Sequence, residues 1–483
     1  MIRNAVINFL AENACAGKQT VDPDQKSDTL TERNVNTARS ENVSVRALAE
    51  DKFPCLEELA DTLELIIRAS ACRETVVISG SDESLYLAFG RCRGLHKDTM
   101  IFRSLFEPQV KSLGYTPGVL IATDPAKLTL RAEIYADSDA DEIRVFSREK
   151  LTDYSCLKYG DNLEPEEFFL NGDMTLFPGY REFARRIGYI TSVINSSGRT
   201  LKKAVTARRA VFSTGGIRRF SAGALKNFIS RLVRERVLKV RDESYLYLGF
   251  ADACHQETDM SGAEKEHSAT DGPELFVSFT PEKLFSIRDG RIYCDALAGS
   301  VPVEQGDALI RDPKNLNENR IVADFIDDRL RTICDDVQQM PVKLKRLSYI
   351  THLLIEISGN IKNNISTEEI IRLLHPTPAT LGYPREEAVR VLDGCGALLT
   401  GMYAGTAGMT YGGCSTALVM LRSALFRNGE ITLYGGAGIM GESDPLSEWK
   451  ETGLKMTAVL KRIIPEDDVA RVLAKINMMK SGE

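Results

Sequence analysis

Three residues near the end of the chain have the spacing that chemistry needs. Glu448, Glu451 and Lys455 follow the glycine-rich stretch Tyr434-Gly-Gly-Ala-Gly-Ile-Met-Gly441 and fall at i, i+3 and i+7. Asp444 predicts a helix cap and Pro445 fits the first turn, where a missing N–H costs nothing. All three side chains then share one helical face. Two carboxylates pointing the same way repel each other unless a cation sits between them. A glycine turn beside them lets backbone N–H groups approach an anion. The pattern suggests a metal and a carboxylate ligand meeting at one spot. A solvated helix with a Glu451–Lys455 ion pair accounts for it equally.

Further candidates lie upstream. The segment Asp312 to Leu330 predicts a helix with an apolar stripe of Ile321, Val322, Phe325 and Ile326. At about 100° per residue Glu318 falls within that stripe, whereas Arg320, Asp324 and Asp327 fall opposite. A carboxylate facing a core is costly unless it meets an arginine, a metal or a substrate. Leu201 to Phe212 alternates like a strand, with Lys203 on the face of Val205 and Ala207. Facing inward Lys203 is a candidate base; facing outward it is an edge-strand lysine. Phe276 to Thr280 predicts a strand, Pro281 a turn and Arg288-Asp-Gly290 a hairpin. Glu282 sits at that turn, a usual place for an acid and equally for a surface glutamate. Ser415 to Phe426 is apolar on both faces except for Arg422, which predicts a doubly buried strand whose arginine demands an anion. His375, in Leu373-Leu-His-Pro-Thr-Pro378, either fixes a rigid turn or touches a ligand.

The elements that must position these groups belong to a long chain. Its 483 residues and 43% hydrophobic content allow a large core. A net charge of −7 argues against a nucleic-acid partner and leaves any anion site to be built locally. The ten cysteines show no metal-finger spacing and read as reduced thiols of a cytoplasmic protein. No apolar run is long enough to span a membrane, and the first residues make no convincing signal peptide. Gly17 to Asn42 is almost purely polar and reads as loop or disorder. Strand-like runs at Thr75–Ser79, Gly118–Ala122 and Glu142–Phe146 predict a sheet-rich amino-terminal half, and Tyr180 to Asn195 predicts a helix. Residues 253–272 read as a surface loop insertion; Cys254, His255 and His267 lie in it, more simply as solvated loop residues than as a metal site.

Taken in order, these pieces resemble the chorismate-utilising enzymes, and within them the isochorismate synthases. The resemblance runs from about Lys203 to the C-terminus. It rests on Thr280-Pro-Glu282 with Leu297-Ala-Gly-Ser300, on His352-Leu, on Leu374-His-Pro-Thr-Pro378, and on Tyr434 to Lys455. It implies Lys203 as the base that activates water and Glu282 as the general acid. It implies Glu318 and Glu451 as direct Mg²⁺ ligands, with Glu448 acting through water. Arg422, Tyr403 and Lys455 would hold substrate carboxylates, Gly436 and Gly438 would offer backbone donors, Gly299 and Ser300 would line the ring site, and His352 would contact the ring. The implied reaction converts chorismate to isochorismate for a siderophore, menaquinone or salicylate pathway. Ala298, where amine-transferring relatives place a lysine, and the retained Lys203 favour water as nucleophile. A salicylate synthase that goes on to eliminate pyruvate, and a non-catalytic chorismate-binding homologue, are the alternatives.

Four positions depart from the family pattern; one is Arg320, predicted to face outward, where an acidic residue is usual. Gly396 and Thr400 stand where a glutamate and an arginine are usual, and Asn315 where an outer acidic group is usual. They point to a specialised or weakened enzyme. The expected architecture is α+β: two packed, mainly antiparallel sheets flanked by helices. Residues 1–50 would form a partly disordered extension, 51–180 a sheet-rich part of the same unit, and 181–483 the chorismate-binding core. A water-using enzyme needs no glutamine amidotransferase, and a monomer or homodimer is expected.

Overall fold

The computed structural model describes residues 169–196, 200–213, 220–238, 244–251, 273–347, 349–362, 365–398, 401–411 and 414–477, with short segments, mainly strands, between 74 and 144, at 198, and at 257–258 and 264–265. Gly17 to Asn42, the extension 1–50 and most of 253–272, including Cys254, His255 and His267, lie outside the described residues, as do Gly118 to Ala122 and Thr400.

Two large antiparallel sheets stand face to face. The first has nine strands in the order Gly382–Tyr383, Lys203–Ser213, Glu430–Ile439, Ser423–Arg427, Glu274–Thr280, Tyr245–Ala251, Glu74–Ser79 and Leu85–Phe89, with Asp173–Phe177 also pairing to Lys203–Ser213. The second has eight, in the order Cys334–Gln339, Ile350–Ile361, Arg291–Pro302, Lys283–Arg288, Cys414–Val419, Gly401–Tyr411 and Met100–Phe106, with Lys343–Arg346 also pairing to Ile350–Ile361. Tyr247 and Phe276 of the first sheet meet Ala407, Met409 and Leu418 of the second in a buried cluster between them.

Helices cover the outer faces, because the central strands, such as Lys203–Ser213, Glu274–Thr280 and Arg291–Pro302, bury residues on both sides. Phe228, Ile229, Val459 and Leu460 of Ala222–Leu238 and Pro445–Ile463 pack on the first sheet. Tyr180–Ile194 and Arg385–Gly394 cover another part of that sheet. Pro313–Ile333 and Thr367–Leu374 cover the second. The expected α+β class is therefore the observed one, and the expected Tyr180 helix and Asp289–Gly290 hairpin are present.

The helix starts follow their sequence signals. Asp444 accepts from Ser447 N at 2.8 Å with Pro445 in the first turn, and Asp312 accepts from Asn315 N at 3.1 Å with Pro313 in the first turn. Trp449, the one tryptophan, locks the Pro445–Ile463 helix against Tyr180 and Phe183, each ring 5.4 Å away. Arg208 clamps the same helix: it stacks 3.6 Å over Trp449 and donates to Thr452 Oγ1 at 2.7 Å and Trp449 O at 2.9 Å. Burial pushes its guanidinium down to about 9.

Candidate active site

A pocket opens between the two sheets and collects the sequence candidates in one place. Lys203, Glu282, Gly299, Ser300, Glu318, His352, Tyr403, Arg422, Gly436, Gly438, Glu451 and Lys455 all line it. Glu448 is not among the lining residues; it sits one turn before Glu451, 2% exposed.

Lys203 begins its strand and faces inward, 1% exposed, so the edge-lysine reading is excluded. Its Nζ lies 2.9 Å from Glu318 Oε1, which the Pro313–Ile333 helix carries in from the opposite sheet. Glu318 thus takes its place beside the buried row Val322, Phe325 and Ile326, with Arg320 and Asp324 exposed as the period predicts. The glycine of Gly438 is needed by this pair: a Cβ there would meet Glu318 Oε1 and come within 2.6 Å of Lys203 Cε. We expect Gly438→Ala to lower stability by about 1–3 kcal/mol through overpacking, read as a shift of the thermal midpoint; an unchanged midpoint would show that the pair has room to yield.

Glu282 caps the turn between Glu274–Thr280 and Lys283–Arg288. Its N–H donates to Thr280 Oγ1 at 3.2 Å and its carbonyl accepts from Val419 N at 3.1 Å. Burial pushes its carboxyl up to about 8; Lys203 pulls it down, Asp295 pushes it up, and Lys345 and Arg422 pull it down. A carboxyl near that value is protonated at neutral pH and able to donate.

The cationic side of the pocket is a relay. Arg422 Nη2 lies 3.0 Å from His352 Nε2, and His352 Nδ1 lies 3.2 Å from Gly299 O. Burial and the charges of Arg422 and Lys455 hold His352 well below the ordinary histidine range, so it is neutral, donating from Nδ1 and accepting at Nε2. Arg422 itself corrects the sequence reading. Ser415 to Phe426 is not one strand: Cys414–Val419 belongs to the second sheet and Ser423–Arg427 to the first. Arg422 turns the chain between them at φ 49°, which aims the guanidinium into the pocket. Burial pushes it down to about 10.

Tyr403 stacks on Tyr434 with centroids 5.1 Å apart and is pushed up to about 12 by burial. Gly436 N–H faces its hydroxyl, and Gly436 O accepts from Lys455 Nζ at 2.8 Å. Both polar groups of Gly436 therefore point away from the Lys203–Ser213 strand. By the alternation of strands, Gly438 presents its own along the same edge. Gly299 adopts φ 72° at the register break between Ala298 and Ser300, which turns Ser300 toward Glu451. Ser300 Oγ donates to Glu451 Oε1 at 2.7 Å.

Three carboxylates meet three lysines. Glu318 pairs with Lys203 at 2.9 Å, Glu451 with Lys455 at 2.6 Å, and Glu448 with Lys314 at 3.2 Å. The Glu451–Lys455 pair expected of a bland helix is thus present, but inside the site. Burial and Glu451 push Glu448 up to about 7, against the pull of Lys314 and Ser443. Burial raises Glu451, yet Lys455, Ser300 and Lys314 outweigh it and hold its carboxyl low. Burial lowers Lys314, and Glu448, Glu318 and Glu451 outweigh it and raise its pKa. Among the described residues no three His, Cys, Asp or Glu side chains form a group that could hold a metal ion. The donors are all oxygens, the set that Mg²⁺ prefers, and Glu448's repulsion by Glu451 is what a bound cation relieves. The residues fit a hard dication in the chemistry of their donor atoms, while as placed each carboxylate is tied to a lysine.

Lys314 escaped the sequence reading, though it lies one helical turn before Glu318. His375 fixes a turn: it is fully buried, with Nε2 2.7 Å from Ala404 O. Gly396 closes the Arg385–Gly394 helix at φ 66°, and Asn315 packs under Gly299. Cys294, Cys334 and Cys395 are buried thiols outside any disulfide.

Residues 265–464 match the family model of chorismate binding enzymes. Isochorismate synthase MenF of Haemophilus influenzae is 33% identical over 212 residues, 42% of this chain and 48% of that protein. Isochorismate synthase 2 of Arabidopsis thaliana, chloroplastic, is 36% identical over 204 residues, 40% of this chain and 36% of that protein. Each match thus spans less than half the length of the relative. The solved structure of MenF, the menaquinone-specific isochorismate synthase of Escherichia coli, superposes with a TM-score of 0.60 at 20% identity, covering 83% of this chain and 91% of that one; this likeness shows the fold.

Proposed function

We propose, from the premise that residues 265–464 belong to the chorismate binding enzyme family, that this protein is an isochorismate synthase: an isomerase that adds water at C2 of chorismate as the C4 hydroxyl leaves. The observation that carries the reading is the convergence on one pocket of two buried side chains, Lys203 from a first-sheet strand and Glu282 from the turn that joins the two sheets. One supplies a base and the other a protonated acid.

Chorismate is a dianion, so the pocket must offer cations. Arg422 and Lys455 stand where a side-chain carboxylate would be held, and Gly436 and Gly438 offer an edge of backbone. Glu318, Glu451 and, at one remove, Glu448 would hold Mg²⁺, which when bound withdraws charge from the ring carboxylate. Lys203 takes a proton from water as the oxygen attacks C2. The ring double bonds shift, and Glu282 gives its proton to the departing C4 oxygen. Neutral His352, fixed between Arg422 and Gly299 O, offers an uncharged wall beside the ring.

Incubation of the purified chain with chorismate and Mg²⁺, with products resolved by chromatography, tests this. The expected result is isochorismate, lost on addition of EDTA. Salicylate with pyruvate would move the reading to a salicylate synthase. No turnover with water or ammonia at any magnesium concentration would leave a chorismate-binding protein without chemistry.

A further inference from the structure

Behind Glu282 lies a buried charge cluster that the reaction as described does not use. Lys345 Nζ donates to the carbonyl of Pro281, the residue before Glu282, at 2.8 Å. The same ammonium is 3.9 Å from Asp295 Oδ2, and Asp295 Oδ1 is 3.5 Å from Lys283 Nζ. Asp295 and Lys345 are 5% and 8% exposed, and neither lines the pocket. Lys345 comes from the short Lys343–Arg346 strand, in register with His352, and its ammonium also lies 5.4 Å from the centre of the Tyr245 ring. Asp295 comes from the Arg291–Pro302 strand, opposite Glu356. Taking two charges into a core is costly, and an apolar pair would serve packing better.

We propose that Asp295 and Lys345 are positioning residues for the general acid: Lys345 pins the Pro281–Glu282 turn through the Pro281 carbonyl, and Asp295 sets the charge at its back. The third backbone tether matters because Glu282 N and O are already held by Thr280 and Val419. With Pro281 O also held, three consecutive backbone polar groups of the turn are tethered. The two residues act on Glu282 with opposite sign. Asp295 repels the ionised carboxyl and favours the proton-bearing form; Lys345 attracts it. The other charged or titratable groups facing Glu282 are Lys203 from the first sheet, Arg422 from the turn between sheets, and Tyr403 from Gly401–Tyr411. This inference rests on the reading of Glu282 as the acid.

The test compares the full chain with Asp295→Asn, Lys345→Met, Lys345→Arg and Glu282→Gln. Rates of chorismate conversion are measured with Mg²⁺ between about pH 6 and 10, where a general acid of raised pKa gives an alkaline limb. Asp295→Asn is expected to move that limb down by about one pH unit, and Lys345→Met to move it up by about as much. The losses should fall at least about tenfold on kcat, with KM within about twofold, since neither residue touches the pocket. Lys345→Arg should restore both tether and limb. A merely structural pair would lower stability without moving the limb in opposite directions. Limbs that stay put, move together, or losses that fall on KM overturn the proposal. If a variant is folded but inactive, the infrared difference spectrum of the Glu282 carboxyl against pH, with Glu282→Gln as blank, reads the same shift. Should Glu282→Gln keep wild-type kcat, the acid assignment itself fails and this proposal with it. Should Glu282→Gln be inactive while the limb stays fixed in the Asp295 and Lys345 variants, the acid stands and only the positioning role falls.

Discussion

Lys203→Ala is expected to lower kcat by about a thousandfold, the loss of a positioned general base. The methyl group removes the only amine that reaches the pocket from the first sheet's Lys203–Ser213 strand and lines it beside Glu282. It also deprives Glu318 of the partner 2.9 Å away, in a setting where that carboxylate is 13% exposed. Leaving such a group unpaired costs about 1–3 kcal/mol, so a fall in thermal midpoint should accompany the lost activity. The two effects can be separated. Lys203→Arg keeps a cation for Glu318 but cannot give up its proton, so it should recover much of the stability and none of the turnover. Product chromatography and thermal denaturation on the same samples decide it. Activity of Lys203→Ala within tenfold of wild type would remove Lys203 from the chemistry and leave it as Glu318's counter-ion.

The parts of this site that were legible in the sequence are those set by local rules. Asp444-Pro445 and Asp312-Pro313 announce helix starts because a cap and a proline act within one turn. Once those starts are fixed, helical period alone puts Glu448, Glu451 and Lys455 on one face and Glu318 in line with Val322 and Phe325. Arg422 was misplaced for the opposite reason. The apolar runs on either side of it belong to two different sheets, and only the left-handed backbone at Arg422 separates them. Hydrophobic pattern cannot mark that bend, because both runs are buried on both faces. The partners distant in sequence were invisible for a third reason. Lys203 and Glu318 are more than a hundred positions apart, and the Arg208 clamp on Trp449 and Thr452 spans still more. The first pair is made by packing two sheets together and the second by packing a helix on a sheet, and no window of sequence contains either. Lys314 is the exception that could have been found, since it shares a face with Glu318 one turn on.

Glu282→Gln is expected to lose activity and gain stability at the same time, with the gain growing as pH rises. The amide keeps the size of the side chain but has no proton to give the departing hydroxyl, so kcat should fall by about a hundred- to a thousandfold. The stability change follows from proton counting. In the folded protein burial pushes Glu282 from 4.5 up to about 8. Below the lower value both folded and unfolded chains carry the proton, and the group makes no pH-dependent difference. Between the two values the folded chain holds a proton that the unfolded chain has released, so stability falls as pH rises through this window. Above the upper value the buried carboxylate is ionised and its full cost is present. Glutamine carries no such cost at any pH. The difference in thermal midpoint between Glu282→Gln and wild type should therefore be small near pH 4.5, widen through neutrality and level off above pH 8. A difference that is flat across that range would mean that Glu282 is not held protonated by burial. The acid would then have to be sought elsewhere in the pocket. The expected widening, together with an alkaline limb in wild-type kcat that Glu282→Gln abolishes, would tie the destabilising burial of this carboxyl directly to its use as a proton donor.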